Sequence, residues 1–154
     1  MTPSTDQVRA AASELVDAFA ATDTERYFSC FAEDASFVFH TEPERLDGRA
    51  AYEELWHSWL RSGWRVTACE STHQRIQPFP GGAVFSHDVA TSVSTADGEE
   101  SYRERETIVF AYDGERLLAV YEHLSAVPDG PGAESQAAAP AAGPAAGRDG
   151  EGRL

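Results

Sequence analysis

The stretch Ser101-Tyr-Arg-Glu104-Arg-Glu106-Thr-Ile-Val-Phe110-Ala-Tyr112, followed by Asp113-Gly114 and then Arg116-Leu-Leu-Ala-Val-Tyr121-Glu-His123-Leu-Ser125, reads as two strands joined by a tight turn. Asp-Gly tolerates the positive φ angles of a two-residue hairpin, and both flanking runs are rich in β-branched and aromatic residues. A second turn, Ala96-Asp97-Gly98, joins this hairpin to Ala83–Thr95, another run with a period of two. Further strand candidates are Trp64–Glu70 and an irregular piece at Arg75–Gln77, set apart by Pro78-Phe-Pro-Gly-Gly82.

Upstream of Gly63 the period is 3.6 instead. Ser4 with Gln7 three residues on forms a capping box, and Val8, Ala12, Leu15, Val16 and Phe19 follow at helical spacing. Asp23 or Thr22 caps a shorter helix with Tyr27, Phe28 and Phe31 as its apolar stripe, ending at Glu33-Asp34. A short strand is expected at Ser36–His40. Asp47 is expected to cap a third helix, from Gly48 to about Arg61, with Gly63 as its stop. Helices followed by a run of antiparallel strands predict an α+β fold with helices on one face of a curved sheet.

The chain has 154 residues, of which 42% are hydrophobic and 10% aromatic, enough for one domain with a core. That domain is read as 1–127. From Pro128 to Leu154 the sequence is Ala, Gly and Pro-rich and lacks aromatics, so 128–154 is expected to be a disordered tail. The net charge is −14, with 26 acidic against 12 basic residues. The tail carries four acids and two arginines, so −2 belongs to it and −12 to the domain. Such a charge argues against nucleic acid and against an anionic membrane surface as partners. The N-terminal segment lacks the features of a secretory signal, and apolar runs stay well short of the roughly 18 residues of a span, so a cytoplasmic location is expected. Cys30 and Cys69 are read as buried small fillers.

Ionisable residues inside the apolar strands point to a lined pocket, because a buried charge or imidazole is costly unless it is paired or faces a cavity. Parity places His87 with Phe85, Val89 and Thr91, and Glu104 and Glu106 with Ile108 and Phe110. It places His123 with Tyr121 and Ala119, opposite Glu122. His40, His87, Glu106 and His123 are therefore the candidate acid/base residues, since imidazole titrates near neutral pH. Glu104 and Glu106 are equally suited to cross-strand pairs with Arg103, Arg105 or Arg49. Phe39, Trp56, Trp59 and Tyr121 are the candidate substrate-contacting aromatics, although tryptophans at helical spacing also build cores. The same four acid/base residues have the donor types of a metal site, to which sequence spacing is silent. Phosphate-binding loops and dinucleotide fingerprints are absent, so no nucleotide cofactor is expected.

Phe31-Ala-Glu-Asp34-Ala-Ser-Phe37, Gly48-Arg-Ala-Ala51 and the hairpin Arg105-Glu-Thr-Ile-Val-Phe110 to Tyr121-Glu-His-Leu-Ser125 together resemble the SnoaL-like group of the nuclear transport factor 2 and ketosteroid isomerase superfamily. The resemblance covers residues 5–127. It implies a cone-shaped curved antiparallel sheet roofed by three N-terminal helices and enclosing a pocket, a small-molecule ligand, and a homodimer through the outer sheet face. Steroid-isomerase-like members carry a general-base aspartate at or just before His40. Here Phe39-His40 stand there, so proton abstraction would fall to imidazole. The expected function is cofactor-independent acid/base catalysis of the isomerase, cyclase or hydratase type. A non-catalytic ligand-binding or scaffold protein and a metal-dependent enzyme are the alternatives.

Overall fold

The computed structural model describes residues 1–128, and the expected tail beyond Pro128 lies outside the described residues. Helix α1 (Thr5–Ala20) starts at the capping box: Gln7 N–H donates to Ser4 Oγ at 3.1 Å and Ser4 N–H to Gln7 Oε1 at 2.8 Å. It buries Val8, Ala12, Leu15 and Ala18. Helix α2 (Thr24–Phe28) is capped by Asp23, which accepts from the Arg26 N–H, and it is shorter than its apolar stripe suggested. Phe31 and Glu33-Asp34 belong instead to strand β1 (Phe31–Phe39), which therefore begins five residues before the expected Ser36. The register of β1 shifts between Phe31 and Ser36, leaving Glu33 and Asp34 out of the ladder.

A two-residue strand β2 (Leu46–Asp47) pairs with β1 and leads into α3 (Arg49–Arg61). Asp47 does not cap α3. Its carboxylate is bound to Arg45, and Gly48 takes the cap position at φ +101°, where an L side chain would be strained. After Gly63, at φ +97°, four long strands follow: β3 (Arg65–Phe79), β4 (Gly82–Thr95), β5 (Gly98–Asp113) and β6 (Arg116–Ala126). The irregular piece at Arg75–Gln77 is thus the second half of β3. A register shift between Thr72 and Arg75 sets it off, and His73 there has φ +53°.

The six strands form one curved sheet in the order β2-β1-β6-β5-β4-β3. All pairs are antiparallel except β1–β6, so the sheet is mixed where the sequence suggested antiparallel throughout. Hairpin turns dictate the sense of β3 to β6, whereas β1 reaches β6 only through the rest of the chain and is free to run parallel.

Tyr27, Phe28, Phe31, Phe37, Tyr52, Trp56, Trp59 and Trp64 interlock between the helices and the sheet. Tyr27 stacks on Trp56 with centroids 4.9 Å apart, and Trp64 meets Trp56 edge-on at 5.1 Å. Trp56 Nε1–H donates to Thr24 Oγ1 at 2.8 Å, which satisfies its polar atom on burial. The tryptophans are core.

Strand β6 carries the feature that decides the site. Opposite it, Val109 pairs with Tyr121 but the next residue, Phe110, pairs with Ala119, so Val120 is an extra residue. This bulge reverses the alternation of the strand. Before it Ala119 points inward; after it Glu122 and Leu124 do, and His123 points out.

Candidate acid/base site

The helices and the inner face of the sheet enclose a small cavity of about 30 Å³, room for one or two water molecules. Leu15, Val16 and Phe19 of α1 roof it; Tyr27, Tyr52 and Phe39 form its aromatic wall; Cys69, Val89, Thr91 and Leu124 lie on the sheet side. Its ionisable lining consists of three glutamates, Glu104 and Glu106 from β5 and Glu122 from β6.

Each glutamate sits differently. Glu104 is 2% exposed, and one of its oxygens bonds His40 Nε2 at 3.0 Å. The His40 side chain is 26% exposed, so this pair links a carboxyl of the cavity wall to the surface. Burial pushes the Glu104 carboxyl up to about 7, against the pull of His40 and with the help of the Glu106 charge. Glu106 accepts from His87 Nε2 at 2.6 Å, and His87 Nδ1 is 2.6 Å from Ser71 Oγ.

Glu122 lies within bonding reach of Glu106, and its Oε1 is buried with no hydrogen-bond partner among the described residues. Burial and the adjacent Glu106 carboxylate push Glu122 well above the ordinary carboxyl value. Burial disfavours the Glu106 carboxylate too, but Glu122 and His87 outweigh it and hold Glu106 below its ordinary value. Opposite shifts in two adjacent carboxyls favour one proton between them. Environments that drive two carboxyls apart are those that separate an acid from a base. The Tyr27 and Tyr52 hydroxyls lie 2.9 Å apart in the same wall, and burial with the nearby Glu122 raises both phenols well above 10.

The expected site residues divide accordingly. Phe39 and Glu106 line the cavity, while His87 and His40 stand outside the lining, bonded to Glu106 and Glu104. His123 does not face the interior. It is exposed on the outer face, where its Nδ1 is 3.1 Å from the Tyr121 hydroxyl, and Tyr121 is on the outer face with it. Continuous alternation along β6 gave the opposite assignment, and the Val120 bulge is the reason it fails. Trp56 and Trp59 are in the core and outside the cavity lining.

The proposed arginine pairs for Glu104 and Glu106 do not form either: Arg103 and Arg105 alternate to the exposed face, and Arg49 donates to the Phe31 carbonyl at 3.0 Å. His40, His87, Glu106 and His123 do not converge on a shared metal position, and among the described residues no group of three His, Cys, Asp or Glu could hold an ion. Cys30 is buried as expected, while Cys69 is half-buried in the cavity wall with its thiol pushed up to about 12 by burial.

The sequence reading missed Glu122, Tyr27, Tyr52 and Ser71. Glu122 was the recoverable one: a charged residue in an apolar strand is the same signal that marked Glu106.

A family model described as a SnoaL-like domain matches residues 8–130. No protein with a curated description matches the chain. Many solved structures share the fold. One is a nuclear transport factor 2-like protein from Cytophaga hutchinsonii, at 13% identity and TM-score 0.70, covering 81% of this chain and 99% of that one. Another is an uncharacterised protein with a cystatin-like fold from Caulobacter vibrioides, at 18% and 0.67, covering 80% and 89%. A third, from Catenulispora acidiphila in complex with S-DNPA, has 18% identity and TM-score 0.64 and covers 78% and 90%. At such identities the likeness concerns the fold.

Proposed function

The chain belongs to the SnoaL-like domain family, and from the carboxyl pair in its cone we propose that it is a cofactor-independent acid/base enzyme acting on a small, largely apolar organic molecule. The reaction class is isomerisation, cyclisation or hydration–dehydration, all of which move a proton on carbon or oxygen. One observation carries this reading: two buried glutamates, driven in opposite directions from the ordinary carboxyl value, line the same aromatic cavity. Glu106, held as the carboxylate by His87, takes a proton from the substrate, and Glu122 supplies one. Its unpartnered Oε1 is the contact point for the substrate. Tyr27 and Tyr52 add a buried phenol pair beside developing negative charge. His40 and Glu104 link the cavity wall to the surface. A substrate larger than the free volume enters only as Val16 and Phe19 of the roof give way.

The test is deuterium wash-in. The protein is incubated in heavy water with a panel of small cyclic and unsaturated ketones, and C–H to C–D exchange is followed by proton NMR. Exchange above buffer is expected with part of the panel and should fall by about 10²–10⁴-fold in Glu106→Gln and Glu122→Gln, the usual worth of a positioned acid or base. Exchange that survives both substitutions would refute the assignment.

The small free volume also favours a second reading, a non-catalytic binding or scaffold protein in which the dyad only orders the core. Binding of panel members without any exchange supports that alternative. Among the described residues no helix is long and apolar enough to cross a membrane. We place the protein in the cytoplasm as a homodimer through the outer sheet face, to be checked by cell fractionation and light scattering.

A further inference from the structure

Beside Glu106, on the same inner face of the sheet and reaching to the edge strand β3, a second constellation is complete in itself. Gln74 Nε2–H donates to Ser71 Oγ at 2.9 Å; Ser71 O–H donates to His87 Nδ1 at 2.6 Å; His87 Nε2–H donates to Glu106 Oε1 at 2.6 Å. The direction of this chain follows from its ends. An amide N–H₂ can only donate and a carboxylate can only accept, so the hydroxyl proton lies toward Nδ1 and the imidazole carries its own proton on Nε2.

That is the resting arrangement of an activated nucleophile: a hydroxyl on the free nitrogen of an imidazole whose other nitrogen is held by a carboxylate. The imidazole is fully shielded, with a side-chain exposure of 0%. Ser71 is half-buried on β3, the edge strand of the sheet, and Gln74 is exposed. The register shift between Thr72 and Arg75, with His73 at φ +53° and tied to Asp88 at 3.1 Å, is what places Gln74 over Ser71.

We propose that Ser71, His87 and Glu106 form a Ser–His–Glu triad that accepts acyl groups from small esters, with the Gln74 amide as the oxyanion donor. As Ser71 Oγ bonds to the ester carbonyl carbon, its proton passes to His87 Nδ1, and Glu106 stabilises the imidazolium so formed. The carbonyl oxygen becomes an oxyanion beside Gln74 Nε2, which already lies within bonding reach of Oγ. Collapse of the tetrahedral centre breaks the bond to the alcohol oxygen, which takes the proton from Nδ1 and leaves. Water then attacks acyl-Ser71, with Nδ1 accepting its proton and returning it to Ser71 as the acid departs. This activity goes beyond the proton transfer proposed for the cavity and shares only Glu106 with it.

Two probes test it on the full chain: a fluorophosphonate, located by peptide mass spectrometry, and 4-nitrophenyl acetate, whose hydrolysis is read by absorbance. The phosphonate is expected on Ser71. Labelling should slow at least about 100-fold in His87→Gln and about 10-fold or more in Gln74→Ala, the scale for loss of a base and of an oxyanion donor. Ester hydrolysis should drop to background in Ser71→Ala. Label on Ser71 is read separately from deuterium wash-in, so label on Ser71 in a protein that exchanges no C–H supports the triad while the cavity reading fails. Absence of label on Ser71 would overturn the triad. So would labelling at the parental rate in Gln74→Ala, a surface change that leaves folding untouched and decides the matter even if His87→Gln does not fold.

Discussion

Two neighbouring residues, Glu122 and His123, separate the cavity wall from the outer face. Their side chains leave β6 in opposite directions, one 2% exposed against Glu106 and the other in solvent beside Tyr121. His123→Gln is therefore expected to change stability by less than about 0.5 kcal/mol, as exposed substitutions do. It should also leave proton exchange at the parental level; a large loss of either in urea melts or the wash-in assay would return His123 to the site. Glu122→Leu is the contrasting change. It removes a buried proton donor that Glu106 depends on and leaves a carboxylate in an apolar wall, which should cost about 1–3 kcal/mol by the same urea measurement. Sequence alone could name buried ionisable residues as the clue, and Glu106, His87, His40 and Phe39 were legible that way. It could not decide between residues 122 and 123, because that choice depends on a single extra residue in the ladder, and Val120 looks like any other strand valine.

At the scale of elements, local signals read well where local physics settles the matter. The capping box of α1, the Gly63 stop at positive φ and the hairpin turns are all realised. The misreadings come where a long-range partner decides. Asp47 looked like a cap until β2 paired with β1, and Phe31 looked helical until β1 docked beside β6. Close approach of strands also makes Gly82 indispensable at the start of β4, since a Cβ there would stand 2.1 Å from the Phe110 carbonyl oxygen. Gly82→Ala should destabilise the protein by about 2–4 kcal/mol through this overlap, more than an ordinary strand glycine-to-alanine change. A thermal midpoint at the parental value would show that β4 and β5 can separate there without cost.

For the molecule as a whole, the interior acids govern how stability responds to pH. The Glu104 carboxyl titrates near 7 in the fold and near 4.5 in the unfolded chain, so between these values the folded protein holds more protons than the unfolded one. Stability must then fall as pH rises through that window, by about 3 kcal/mol at most for this residue. Glu122 acts in the same direction, while Glu106, lowered in the fold, has the opposite sign and loses its contribution only below its ordinary value. Urea midpoints should be higher at pH 5 than at pH 8, and Glu104→Gln should flatten the difference and raise the midpoint at pH 8. A parental slope in that variant would mean that burial at Glu104 is relieved by other means. The α+β cone and its family were legible because order and spacing of elements survive local errors. The placement of the acids was not, because pocket walls are made by packing.

The extra residue in β6 also has a genetic meaning. Loss of one codon at Val120 would remove the bulge and leave the register on both sides of it as it is, Phe110 opposite Ala119 and Val109 opposite Tyr121, so Glu122 would still point inward and His123 outward. The orientation depends on the bulge only at constant length: in an unbulged ladder of the same residues, counted from Ala119, His123 would face inward and Glu122 outward. Which of two adjacent side chains enters the cone is thus set by how β6 pairs with β5, and a change in that pairing would remake the pocket wall from the same residues.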